Sequence, residues 1–226
     1  MEKILVIAPH CDDEVLSCGA SINKQKSLGS HVTVLIMTNA FKGAPDLYSE
    51  AFINKTRSQT LKAHKILGVN STIFEDFPAP ELDQFPIRLI SDKITNYLKK
   101  INPSKLYIPF YNDAHIDHQI ISAASNVASR PINNTKIKEI LFYETLSETE
   151  WSLGGNSEKF YPNYFEVVSK KNVTAKVRAF KEIKTQLKKI PHPRSLDNIF
   201  NLAKFRGSNI SENYSEAFMA LRIINK

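Results

Sequence analysis

Short continuous apolar runs of strand length, separated by segments with helical spacing, constrain this chain more than any other feature. The first, Lys3–Ala8, reads Lys-Ile-Leu-Val-Ile-Ala with no alternation of polar residues. A strand of that kind is buried on both faces, as in a parallel sheet covered by helices on both sides. The pattern recurs in His31–Thr38, Ser71–Phe77, Lys105–Phe110 and Ile137–Glu144. Between these runs, residues 13–28, Ser49–Leu67, Phe85–Ile101 and His115–Ser129 read as helices, with Gly29 and Gly68 closing two of them. The last third is less regular, with a strand expected around Phe165–Ser169 and helices near 172–189, 195–205 and 212–221. The expectation is an α/β fold, a Rossmann-like three-layer sandwich with a mostly parallel central sheet. No internal repeat or low-complexity linker interrupts the pattern, so residues 1–226 are expected to form one domain.

Composition narrows the setting. No apolar run approaches the roughly 18 residues needed to span a bilayer, and the first run is too short for a secretory signal. No transmembrane segment is expected. Two cysteines, Cys11 and Cys18, make no disulfide framework and suit a reducing cytoplasm. The net charge of +7 favours anionic partners, yet the basic residues are dispersed and no basic motif interleaved with aromatics is present. Nucleic acid is therefore not the expected partner. A homo-oligomer is compatible with all of this.

In open parallel sheets ligands sit beyond the carboxyl ends of the strands. After the first strand stands Pro9-His10-Cys11-Asp12-Asp13-Glu14, with no glycine-rich fingerprint for a dinucleotide. Aspartates at a helix start serve as caps and suit the helix dipole, but capping leaves His10 unexplained. After the fourth strand stands Asn112-Asp113-Ala114-His115-Ile116-Asp117-His118. If this segment opens a helix, His115 and His118 share one side of it.

Taken together, His10, Asp13 and His118 offer two imidazoles and one carboxylate, the ligand set of a catalytic zinc site with one position left for water. Such a water has its pKa drawn from about 15.7 to roughly 7. Asp12 is expected to take its proton, kept ionised by the neighbouring cation and the helix start. His115 would stabilise the oxyanion and then protonate the leaving nitrogen, with Asp117 orienting that imidazole. The same ligand set occurs in non-haem Fe(II) oxygenases, usually on a β-barrel that the strand pattern here does not suggest. Fe²⁺ in a hydrolase is a further alternative to Zn²⁺, and a non-catalytic sugar-binding protein would lack a base or a ligand that this chain has.

The two motifs in this order, Pro-His-x-Asp-Asp-Glu and His-x-Asp-His, resemble those of the PIG-L/LmbE-like zinc-dependent N-deacetylases. Arg57–Ala63 running on to Val69, Lys176–Ala179 with Thr185-Gln186, Arg206-Gly207 and Ala217-Phe218 are similar to further segments of that family, so the resemblance spans nearly the whole chain. It implies a hydrolase that removes the acetyl group from an N-acetylglucosamine-type conjugate, with another N-acyl amide as the alternative substrate. It implies His10, Asp13 and His118 as zinc ligands, Asp12 as general base, His115 as stabiliser and acid, and Arg57 as a substrate contact. Cys11 stands where the family usually has proline, and is read as a small turn residue.

Other residues carry weaker expectations. Tyr143 and Glu144 end a strand at the expected active edge, where either would line the pocket or, alternatively, Phe142 would pack in the core and Tyr143 stand at the rim. Trp151 is read as a sugar platform or a loop anchor in the core, and Asp83 as a sugar contact. His192 and Arg194 are read as part of an exposed interhelical turn in preference to a rigid basic turn that holds a phosphate or carboxylate of the substrate.

Overall fold

The computed structural model describes residues 1–132, 136–152 and 159–225. In chain order the elements are β1 (Lys3–Ala8), α1 (Asp13–Ser27), β2 (His31–Asn39), α2 (Ala40–Gly43), α3 (Glu50–Leu67), β3 (Ser71–Pro78), α4 (Ile87–Ile101), β4 (Lys105–Pro109), α5 (Ile116–Ala128), β5 (Glu139–Tyr143), β6 (Tyr164–Val167), α6 (Lys170–Glu182), α7 (Leu196–Ser208) and β7 (Ser215–Ile223). One seven-stranded sheet runs in the order β3-β2-β1-β4-β5-β7-β6. The first five strands in sequence pair in parallel, and β7 lies antiparallel between β5 and β6. This is the expected Rossmann-like sandwich.

The unbroken apolar runs are explained by the two layers they face. Ile4, Val6 and Ala8 point to the layer holding Val15, Leu67 and Phe180, while Leu5 and Ile7 point to the layer holding Ile90, Ile94 and Ile121. Successive side chains leave a strand on opposite faces, so a strand covered twice must be apolar at every position. Local punctuation follows the sequence too. Ser49 caps α3 by accepting from the Phe52 N–H, and Gly68, at φ +81°, ends it in the left-handed conformation. Among the described residues no helix is long and apolar enough to cross a membrane.

Two expectations in the last third are corrected. Residues 212–221, read as a helix, contain most of β7. Glu216, Ala217, Met219, Ala220 and Leu221 favour helix intrinsically, but pairing with β5 and β6 on either side outweighs that weak preference. The helix expected over 172–189 ends at Glu182, and residues 183–195 continue without regular structure.

The β7 correction also explains a buried charge. Glu216 accepts hydrogen bonds from the α1 N–H groups of Ala20 and Ser21 and pairs with Lys176 Nζ at 2.6 Å. Lys176 is 3% exposed and Glu216 4%. Removing one partner of a buried pair costs about 3–5 kcal/mol because the other is left uncompensated. Lys176→Met is therefore expected to lower unfolding stability by about 3 kcal/mol in urea titrations, with part recovered in Lys176→Met/Glu216→Gln. An unchanged midpoint in the single variant would contradict this assignment.

Candidate active site

The β1 and β4 strands are neighbours in the sheet, so the segments leaving their carboxyl ends meet. Asp13 opens α1, and Asp12 stands at its N-cap without making a side-chain cap. The aspartate run is thus not spent on capping. Asp13 Oδ2 instead accepts from the His10 N–H at 2.8 Å and lies 3.3 Å from His10 Nδ1 and 3.2 Å from His118 Nε2. His118 is in the first turn of α5 and is fully buried.

Each of these two histidines has its other ring nitrogen on a carboxylate. His10 Nε2 lies 3.0 Å from Asp117 Oδ2, and His118 Nδ1 lies 2.8 Å from Asp113 Oδ2. The hydrogen-bond network therefore keeps a proton on each of those nitrogens and turns His10 Nδ1 and His118 Nε2 towards Asp13. Buried Asp13 Oδ1 and His118 Nε2 have no hydrogen-bond partner. Unpaired buried polar atoms are costly in a folded protein. Here two of them converge with an imidazole nitrogen, and the donor set suits a divalent transition metal.

His10, Asp13 and His118 each offer a ligand atom within 4.8 Å of the others, as do His10, His115 and Asp117. The second group is less available. Its His10 and Asp117 atoms are hydrogen-bonded to each other, and His115 Nδ1 accepts the Asp117 N–H at 3.2 Å. That last bond makes His115 the N-cap of α5 and leaves its ring proton on Nε2.

The charges bear the marks of burial. Burial alone would raise Asp13, but His118 and His10 hold it well below the usual carboxylate range. Burial lowers His115 to about 4, helped by His10 and His118. For His10 the contacts with Asp117 and Asp13 outweigh burial and bring the ring to about 9. Burial lifts Asp12 to about 6 against the pull of Arg194.

Arg194 corrects an expectation. It is no exposed turn residue but part of the wall beside Asp12, brought there by the irregular segment between α6 and α7. Its Nη1 donates to Asp12 Oδ2 and Gln186 Oε1, both at 3.0 Å. Its Nη2 donates to Glu148 Oε1 at 3.0 Å and its Nε to Ser147 Oγ at 2.6 Å. Nothing local in Pro191-His192-Pro193-Arg194 announces this, because the acidic partners come from the turn between β1 and α1 and from the loop after β5.

Arg57 stands apart from the other expected site residues. Its guanidinium donates to Asp76 Oδ1 at 2.7 Å and to the Glu75 carbonyl at 2.8 Å, and lies over Phe74. Asp76 also accepts from Asn39 Nδ2 at 2.7 Å, and Asn39 lines the cleft, so Arg57 bears on the cleft through two intermediates. Tyr143 is fully buried and donates to the Ile7 carbonyl, so it is not a rim residue. Glu144 is tied to Arg206. Trp151 is 55% exposed with its ring against His192, hence no core anchor, and Asp83 is exposed and bonded to Gln84.

The cleft above these groups is open to solvent and spans about 820 Å³. His10, Asp12, His115 and Arg194 line its polar side, and Tyr48, Phe52, Ile53 and Pro80 its apolar side.

Fold and site together define a Rossmann-like α/β protein with two histidines and one carboxylate gathered at the strand ends as a candidate cation site. Residues 5–129, more than half of the chain and spanning both clusters, match the family described as PIG-L: GlcNAc-PI de-N-acetylase, and the chain belongs to that deacetylase family. It is 31% identical over 186 residues to the uncharacterized deacetylase YaiS of Escherichia coli K12, covering 80% of this chain and 90% of that one. Among solved structures, the N,N'-diacetylchitobiose deacetylase of Pyrococcus horikoshii superposes with a TM-score of 0.76 at 20% identity over 98% of this chain and 84% of that one. The 4-carboxy-2-hydroxymuconate hydratase GalB of Pseudomonas putida KT2440 superposes with a TM-score of 0.75 at 14% identity over 100% and 99%. Likeness at that identity concerns the fold, which hosts more than one reaction.

Cys11 lines the cleft next to these groups. Burial, with the carboxylate of Glu14, pushes its thiol far above the usual range, and Cys18 is fully buried. A protonated thiol is a poor nucleophile. The native protein at pH 7 is expected to react only slowly with a disulfide reagent, while both thiols titrate at once in guanidinium. Rapid labelling of one thiol in the native state would contradict this.

Proposed function

We propose that the protein removes the N-acetyl group from an amino-sugar conjugate of N-acetylglucosamine type, using a divalent cation, Zn²⁺ by preference, held by His10, Asp13 and His118. The observation that carries this reading is the convergence of His10, Asp13 and His118 ligand atoms within 4.8 Å of one another, with His118 Nε2 and Asp13 Oδ1 buried and without a hydrogen bond, in a member of a deacetylase family. A cation there supplies Lewis acidity, polarising the amide carbonyl and making a water molecule acidic near neutral pH.

The chain's own groups do the rest. Asp12, with one oxygen held by Arg194, accepts the proton of the attacking water. A pKa of about 6 leaves it mostly ionised at neutral pH yet able to carry that proton. His115 donates its Nε2–H to the developing oxyanion. The sequence reading also gave His115 the protonation of the leaving nitrogen. With Nδ1 engaged at the start of α5 and a pKa lowered to about 4, the ring suits a neutral donor, and Asp12 is the group that delivers the proton. Asp117 orients His10 directly, at 3.0 Å, and His115 through its backbone N–H, its carboxylate lying 3.9 Å from His115 Nδ1. Arg57 contributes to substrate binding by holding Asp76 and, through it, Asn39 in the cleft wall.

Tyr48 and Phe52, with rings 5.9 Å apart, give the cleft an amphipathic aromatic wall of the kind a sugar face packs against. A parallel sheet rather than a barrel supports hydrolysis over Fe(II) oxygenation. We further infer a single functional domain acting in the cytoplasm, with Cys11 and Cys18 as free thiols.

Acetate release should be measured from free, nucleotide-linked, inositol-linked and lipid-phosphate-linked N-acetylglucosamine, after chelation and with Zn²⁺ restored. Metal-dependent release from at least one conjugate is expected, and silence across the panel would shift the reading to another acyl amide. Asp12→Asn should keep metal and fold and lose on the order of 10²–10⁴ in turnover. His118→Ala should lose the metal. Near-normal rates in Asp12→Asn would remove Asp12 as the base.

A further inference from the structure

The loop that follows β5, residues 145–150, reaches both halves of the candidate site. On one side Ser147 and Glu148 hold Arg194, which holds Asp12. On the other, Thr149 Oγ1 lies 2.6 Å from Asp113 Oδ1, and Asp113 Oδ2 lies 2.8 Å from His118 Nδ1. The direction of this second chain follows from its far end. Thr149 Oγ1 accepts the Thr145 N–H at 2.8 Å, so its own proton is directed to Asp113. Asp113, 1% exposed, thus receives an O–H on one oxygen and the His118 Nδ1–H on the other. A carboxylate held from both oxygens keeps one orientation, keeps a ring proton on His118 Nδ1 and turns Nε2 towards Asp13. The loop is itself held in a demanding shape. Ser147 adopts φ +74°, a left-handed conformation uncommon in a residue other than glycine, with its N–H on Glu150 Oε1 at 2.6 Å. The Ala114 N–H, beside Asp113, donates to the Glu148 carbonyl and fastens the loop to the segment carrying the histidines.

We propose that Thr149 and Asp113 are positioning residues for the metal ligand His118, and that the loop after β5 sets the metal affinity of the site by fixing that ring's orientation and its Nδ1 proton. This rests on the reading of His118 as a ligand. Outer partners of metal-bound histidines typically contribute about 10–100-fold in metal affinity.

The test is Zn²⁺ affinity by competition with a chromophoric chelator, for wild type, Thr149→Val, Thr149→Ser and Asp113→Asn. Thr149→Val preserves shape and removes the O–H, and is expected to weaken Zn²⁺ binding roughly tenfold. Thr149→Ser, which keeps the hydroxyl, should restore wild-type affinity. Asp113→Asn retains one acceptor oxygen for two donors, and should lose on the order of 10–100-fold; it also serves if Thr149→Val folds poorly. In ¹⁵N spectra of the Zn²⁺-loaded protein, the His118 Nδ1–H should be resolved in wild type and shifted in both weakened variants. Folded variants that bind Zn²⁺ as wild type does, with an unchanged His118 signature, would overturn the proposal while leaving the metal site standing. A wild-type chain that takes up no stoichiometric Zn²⁺ would overturn the ligand reading and this proposal with it.

Discussion

The parallel pairing of β1 with β4 is the constraint on which the site depends. The register Ile4↔Lys105, Leu5↔Leu106 and Val6↔Tyr107 brings the carboxyl ends of two strands side by side that lie about half the chain apart in sequence. His10 and Asp13 leave one of them and Asp113, His115, Asp117 and His118 the other. Each cluster alone is a helix start rich in acids and imidazoles. Side by side in the same sheet, they place three lone-pair donors around one point. The pairing is secured by apolar side chains buried on both faces, so the chemistry rests on the least negotiable part of the core.

Bringing these groups together buries several ionisable side chains, which a fold tolerates only when their charges and protons are matched. The structure meets that cost with outer partners rather than with solvent. Asp117 stands behind His10, Asp113 behind His118, and Arg194 beside Asp12. Asp113 and Arg194 are in turn held by the loop after β5, which links the two halves of the candidate site through ordinary hydrogen bonds, while Asp117 accepts the Leu82 N–H. Orientation of the inner groups is therefore a property of a network drawn from four separate stretches of chain.

That distribution accounts for what could be read from the sequence. The buried strands were legible because double coverage demands unbroken apolar runs, as in Lys3–Ala8. The inner groups were legible because each cluster is contiguous and follows a strand. Arg194 was not, since its acidic partners come from the turn between β1 and α1 and from the loop after β5, far from the short proline-flanked segment that carries it. Asp113 lay inside a quoted motif, but only the fold shows that its partners are His118 and Thr149. β7 was misread because Glu216, Ala217, Met219 and Leu221 individually favour helix, while the neighbouring strands that overrule them are remote in sequence. Tyr143 looked like a rim residue because it ends a strand, whereas its hydroxyl reaches across to the Ile7 carbonyl.

The most direct test of the central claim is an anomalous-difference map at the zinc edge from crystals of the protein grown with Zn²⁺. The account predicts a single strong peak coordinated by His10 Nδ1, an Asp13 carboxylate oxygen and His118 Nε2, with Asp117 and Asp113 behind the two imidazoles. A peak held instead by His10, His115 and Asp117, or no peak among these residues, would contradict it.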